Sequence, residues 1–254
     1  MKLLNSFWLK IIALITMIID HSAIIFLSPY STAYLVCRII GRISLPIYGF
    51  LIIEGINYSK SPLRYLIRML IIGLIFDLIC HLFTNLTMGN TFTLFSLCGL
   101  SCYLLFHEDW KYKLFSIIPI GVITLCFLDV IPIYLEYGIY GIALMVAFFL
   151  SKELSKYLSE HYNNIDKLES YKLFSALSLT IITCVMYVFQ NEIKMISPAF
   201  VMDYNVQTYS LIACFLILCY NGLRGYTSPF IKWGFYISYP LHILILLVIN
   251  LLIR

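Results

Sequence analysis

The chain has 254 residues, 61% of them hydrophobic and 12% charged, with a formal net charge of +4 and a mean hydropathy of +0.92. A soluble domain needs far more polar surface than this, so the composition excludes a water-soluble globular protein and points to an integral membrane protein. The basic residues are spread thinly over many short segments, which argues against a nucleic-acid partner.

The first apolar stretch, LKIIALITMIIDHSAIIFL (9–27), is long enough to cross a bilayer and lacks an A-x-A-like cleavage site. It reads as a retained span rather than a cleaved signal peptide. It also carries Asp20 and His21 side by side in its outer half. Ionisable groups at such depth are costly and face an interior cavity or a partner, so this pair asks for a functional explanation.

Apolar windows of about 20 residues, broken at polar or Pro/Gly stretches, predict spans near 7–28, 34–56, 64–84, 91–107, 113–131, 133–150, 172–190, 204–221 and 231–252. The expected fold is therefore all-α: a polytopic bundle of about nine transmembrane helices, within a range of eight to ten. It is read as one transmembrane domain over residues 1–254, with no soluble domain before or after it. The segment 151–171 (SKELSKYLSEHYNNIDKLESY) alternates charges and reads as a solvated amphipathic loop in which His161 is exposed. The piece 193–203 (IKMISPAFVMD) is too short to cross alone and reads as re-entrant or interfacial. No internal repeat is evident.

Cytoplasmic loops of membrane proteins carry an excess of Lys and Arg. With the N-terminus inside, Lys2, Lys10, Lys60, Arg64, Arg68, Lys111, Lys113, Lys152, Lys156, Lys167, Lys172, Arg224 and Lys232 all fall on inner segments, and only Lys194 and Arg254 on outer ones. The N-terminus is therefore expected in the cytoplasm. The cysteines, at 37, 80, 98, 102, 126, 184, 214 and 219, form no C-x-x-C pair. They read as small packing hydrophobes, Cys98 and Cys102 on a shared helix face included, and no metal site is expected.

The ionisable residues singled out within the spans are Asp20, His21, Arg38, Arg42, Glu54, Asp77, His81 and His242. A helical rise of roughly 1.5 Å per residue places Asp20, His21, Arg38, Arg42, Asp77 and His81 at one level in the outer half, with His242 near the middle. Arg38/Arg42 and Asp77/His81 are i,i+4 pairs, so each pair shares a helix face. The arginines need counter-charges, which Asp20 and Asp77 are available to supply as Arg42–Asp20 or Arg38–Asp77 pairs. His21 reads as a general base oriented by the adjacent Asp20. Lys10 stands almost three turns before His21, on the same side of the helix and roughly 16 Å away along the axis, about the reach of a pantetheine arm. With Arg64 and Arg68, Lys10 forms a candidate phosphate site at the inner mouth. Each residue has a plainer reading as well. Lys10, Arg64 and Arg68 can serve as positive-inside anchors, the Arg–Asp pairs as helix locks, His81 and His242 as satisfied bundle histidines, and Glu54 as a residue of the mouth.

The runs LKIIALITMIIDH (9–21), RIIGRISLPIYGFLIIEG (38–55), Tyr137-Gly-Ile-Tyr-Gly141, Tyr220-Asn-Gly-Leu-Arg-Gly225 and KWGFYISYPLHILIL (232–246) resemble the TraX family, in order and over nearly the whole chain. Through that family the chain resembles the wider transmembrane acyltransferases. The resemblance implies a multi-pass protein of the bacterial inner membrane that takes an acetyl group from cytoplasmic acetyl-CoA. The acceptor it implies is an amine, such as the N-terminus of a pilin-like peptide, or a glycan hydroxyl. It also implies His21 as catalytic base and Lys10, which matches a basic residue separated from that histidine by ten intervening residues, on the donor side. Arg38, Arg42 or His242 would stabilise the oxyanion, and both direct transfer and an acetyl-imidazole relay are compatible with these residues. Two readings from other classes stand beside this one. A proton-coupled transporter of a small solute would also use buried Asp, His and Arg, and a non-catalytic scaffold would inherit the fold alone.

Overall fold

A bilayer core offers no water to pair with peptide N–H and C=O groups, so an apolar chain crosses it as helix, which pairs them within one segment. The computed structural model describes residues 3–84, 90–128, 130–131, 135–196 and 203–253, with side chains for all of these except 80, 81, 83, 84 and 194–196. Among the described residues there is no strand. The helices are α1 (Ser6–Phe26), α2 (Thr32–Gly41), α3 (Ser44–Tyr58), α4 (Pro62–Thr84), α5 (Thr91–Leu105), α6 (Trp110–Phe115), α7 (Ile117–Phe127), α8 (Gly138–His161), α9 (Lys167–Val188), α10 (Gln190–Ile196), α11 (Tyr204–Gln207), α12 (Ile212–Leu218) and α13 (Pro229–Ile253). A 3-10 turn, Thr208–Leu211, joins α11 to α12.

Six stretches are long and apolar enough to cross a membrane: Ser6–Phe26, Thr32–Tyr58, Trp110–Phe127, Gly138–His161, Lys167–Val188 and Pro229–Ile253. Thr91–Leu105 and Tyr204–Leu218 are apolar but shorter, and α4 carries Arg64, Arg68 and Asp77. Each predicted span thus coincides with helix over much of its described length, but among the described residues six stretches, not nine, meet the length and apolarity of a full crossing. Apolar windows register short buried helices as readily as spanning ones. The protein is an all-α, multi-pass membrane protein.

The segment 151–171 is not a loop. Helix α8 runs through to His161 and α9 starts at Lys167, so the connection is short. Asp166 caps α9, its Oδ1 accepting from the N–H groups of Leu168 and Glu169 at 2.8 Å each. The two helices pack on each other through small polar residues, with Ser151 Oγ 3.1 Å from Ser178 Oγ. Lys152, assigned above to a solvated loop, is buried and pairs with Glu54, which is itself 2% exposed. Alternating charges read as solvated only while their partners on α3 are unseen. His161 is exposed. Helix α10 covers the start of the 193–203 piece, and 197–202 lie outside the described residues.

Two local features position the site. Pro46, in the first turn of α3, has no N–H for the Arg42 carbonyl, and the 34–56 span is interrupted between Gly41 and Ser44, with Arg42 and Ile43 still near helical dihedrals. Arg42, at this break, is 4% exposed. The Tyr220–Gly225 run closes the start of α1. Leu223 and Arg224 offer carbonyls to the N–H groups of Ser6 (2.8 Å) and Phe7 (3.2 Å), two of the donors a helix N-terminus leaves unpaired. Gly222 and Gly225 have φ of 78° and 70°, and a Cβ on Gly225 would lie 2.5 Å from Asn5. Helix α1 packs against α2, α3 and α13, and the functional residues gather along it.

Candidate functional site

Three cavities lie end to end beside α1. The first, about 430 Å³, surrounds the helix N-terminus. The second, about 20 Å³, borders His21. The third, about 530 Å³, lies at the other end. Tyr48 and Phe92 line both the first and the second, while Asp20, Glu136 and Tyr137 line both the second and the third. The small cavity thus lies between the two larger ones and shares walls with each, and the three are termed a throat and two vestibules.

The first vestibule is strongly basic. Lys10, Lys60, Arg68, Arg224 and Lys232 line it, and its one carboxylate, Glu54, is already paired with Lys152. Aromatic rings hold several of these cations in place. Lys10 Nζ sits 5.4 Å from the Phe235 ring centre, Arg68 lies 5.8 Å from that of Trp233, and Arg224 4.9 Å from that of Tyr58. Arg224 also donates to the Tyr58 carbonyl oxygen at 2.5 Å. Arg64 is exposed, its Nε donating to Ser61 Oγ at 2.8 Å, and it is not among the residues lining the cavity.

At the throat His21 meets His242 across the α1–α13 contact, its Nδ1 2.9 Å from His242 Nε2. His242 Nδ1 lies 3.0 Å from the Ser238 carbonyl oxygen one turn back. Asp20 does not orient His21, contrary to the expectation from their adjacency. Neighbouring residues on a helix point about 100° apart, and Asp20 turns to α2. Its Oδ2 accepts from Arg38 Nη1 at 2.8 Å and Arg42 Nη2 at 2.6 Å, while Oδ1 is buried without a hydrogen-bond partner. Arg42 is further held by its Nε on the Arg38 carbonyl (3.2 Å) and its Nη1 on Gln207 Oε1 (3.4 Å).

Asp77 pairs with neither arginine. Its Oδ2 accepts from Thr93 Oγ1 at 3.1 Å, because the α4–α5 packing gives it a nearer donor. The Arg38–Asp77 pair anticipated above is therefore replaced by a two-arginine clamp on Asp20. The backbone of His81 lies in α4, and its side chain lies outside those described. Of the residues singled out from sequence, the fold brings His21, His242, Asp20, Arg38 and Arg42 together around the throat and far vestibule. Lys10 and Arg68 face the basic vestibule, and Arg64 and Asp77 stand apart.

Several site residues were missed. Glu136 accepts from Thr91 Oγ1 at 2.6 Å, and the Tyr239 hydroxyl, 3.0 Å from the Thr91 N–H, accepts from it. An ionisable residue inside the predicted span 133–150 was signal enough to find Glu136. Tyr137 occupies the left-handed region at φ 65°, a conformation costly for a non-glycine residue, with its ring 5.6 Å from the Arg42 guanidinium. In the sequence Tyr137 stood out only as the start of the Tyr137–Gly141 run, with no role attached to it. Among the described residues, no group of three or more His, Cys, Asp or Glu is placed to hold a metal.

No solved structure matches the chain. A probable fimbrial assembly protein, FimC of serogroup H1, from Dichelobacter nodosus is 27% identical over 254 residues, covering 95% of this chain and 94% of that protein. The family model described as TraX protein matches residues 6–250, which include α1, its terminal cap, both vestibules and the histidine pair. The chain belongs to the TraX family.

Proposed function

We propose that this protein is a membrane-embedded acyltransferase that moves an acetyl group from acetyl-CoA to an amine or hydroxyl acceptor. The observation that carries this reading is that the cavity lined by Lys10 and the throat bordered by His21 share Tyr48 and Phe92 as walls. A basic vestibule of about 430 Å³ suits a nucleotide bearing several phosphates, within the range of roughly 300–1,000 Å³ usual for small-molecule sites. The distribution of Lys and Arg puts that vestibule on the cytoplasmic side, where the donor is found.

Lys10 and Arg68, joined by Lys60, Arg224 and Lys232, hold the phosphates, and exposed Arg64 adds to the positive field. The thioester end then reaches the throat. His21 takes the acceptor's N–H or O–H proton as that nitrogen or oxygen bonds to the acyl carbon. The carbon–sulfur bond breaks, and the proton passes from His21 to the sulfur, leaving free CoA thiol. Arg38 and Arg42, fixed by Asp20, bias the site toward the developing oxyanion.

The far vestibule, lined by Asp20, Glu136 and Asp203 as well as Arg38 and Arg42, receives the acceptor. Its mixed charge, the family, and the fimbrial assembly relative favour a peptide N-terminus, such as that of a pilin-like protein, over a glycan hydroxyl. The setting is the bacterial inner membrane.

The test uses purified protein in lipid nanodiscs, acetyl-CoA labelled in the acetyl carbon, and a short peptide with a free N-terminus. The expected result is a labelled peptide and release of one thiol per transfer. Lys10→Ala weakens acetyl-CoA binding, and His21→Ala binds the donor but does not transfer. Normal transfer by His21→Ala overturns the reading.

A further inference from the structure

Asp20, the acid beside His21, is occupied by two arginines, so another group must orient the imidazole. His242 Nδ1 lies on the Ser238 carbonyl oxygen, which only accepts, so Nδ1 carries that ring's proton and a neutral His242 offers a lone pair at Nε2. The 2.9 Å contact between His242 Nε2 and His21 Nδ1 then needs a donor, and only His21 Nδ1 is left to supply it. The proton of neutral His21 therefore sits on Nδ1, and Nε2 holds the free lone pair at the throat.

We infer that His242 is the positioning residue of His21: through Nε2 it fixes the ring and its tautomer, and it stabilises the imidazolium that forms when His21 accepts a proton. This rests on the acyltransfer reading for its consequence and on geometry for its substance. As His21 takes up the acceptor's proton at Nε2, the Nδ1–H bond to His242 becomes charge-assisted and shortens. The charge is then shared along Ser238 O···H–Nδ1(His242)Nε2···H–Nδ1(His21), and His242 itself touches neither donor nor acceptor.

The geometry is tested apart from activity by magnetic resonance of the protein with 15N-labelled histidine in nanodiscs. The expected signal is a nitrogen–nitrogen coupling across the hydrogen bond, joining a protonated Nδ1 to an unprotonated Nε2, and lost in both His21→Gln and His242→Gln. A His21 protonated on Nε2, or no such coupling, overturns the inference whether or not the protein transfers acetyl groups. For turnover, His242→Leu is expected to lower kcat roughly 100-fold, the lower end of a general base's contribution, with KM for acetyl-CoA unchanged. His242→Gln, which keeps an acceptor oxygen, restores most of kcat. If wild type transfers and His242→Leu keeps its kcat, the positioning role falls while the proposed function stands. If wild type does not transfer but the coupling is present, the proposed function falls alone.

Discussion

Gly41 on α2 faces Asp20 on α1 so closely that a Cβ built there would fall inside the aspartate side chain. Absence of a side chain at one position thus lets a carboxylate on the neighbouring helix reach both Arg38 and Arg42. Gly41→Ala must push the helices apart or turn Asp20 away. Overpacking of this kind costs roughly 1–3 kcal/mol, and loss of the clamp leaves a buried arginine uncompensated. The expected outcome is a lowered thermal midpoint in detergent together with reduced transfer. Unchanged stability would mean that α1 and α2 do not pack this tightly.

The buried pair of Glu54 and Lys152 ties α3 to α8, and the Tyr220 hydroxyl donates to Glu54 Oε1 at 3.4 Å. Removing one partner strands a charge, so Lys152→Met and Glu54→Gln should each destabilise by roughly 3–5 kcal/mol. The double variant strands none. A double-mutant cycle by chemical denaturation is expected to give a double-variant loss well below the sum of the singles, and additive losses would refute the coupling.

Arg224 and Arg64 are both surface arginines near the basic vestibule, but only Arg224 lines it. Arg224→Gln should raise KM for acetyl-CoA roughly tenfold, as loss of a charge-assisted contact predicts, with little change in kcat. Arg64→Gln should change KM far less. Equal effects of the two substitutions would show that the cavity wall does not set donor affinity.

An all-helical, multi-pass chain was legible from composition and apolar windows because the bilayer forces backbone pairing to be local, and local rules can be read along a sequence. That His21, Arg38 and Arg42 would meet polar partners was legible for a related reason, since an ionisable group at depth is too costly to stand without one. Which polar group meets which was decided only by tertiary structure. Asp20 is adjacent to His21 in sequence but bonds to arginines on α2, while the partner of His21 comes from residue 242 on the last long helix. The charged stretch 151–171 looked like a loop until α3 and its own two helices supplied the contacts that bury Ser151, Lys152 and Ser155. Sequence specifies depth and helix face through a short, fixed repeat. The pairing of faces between helices depends on close approach at places such as Gly41 and on helix breaks such as the one before Pro46, and that geometry exists only once the bundle has assembled.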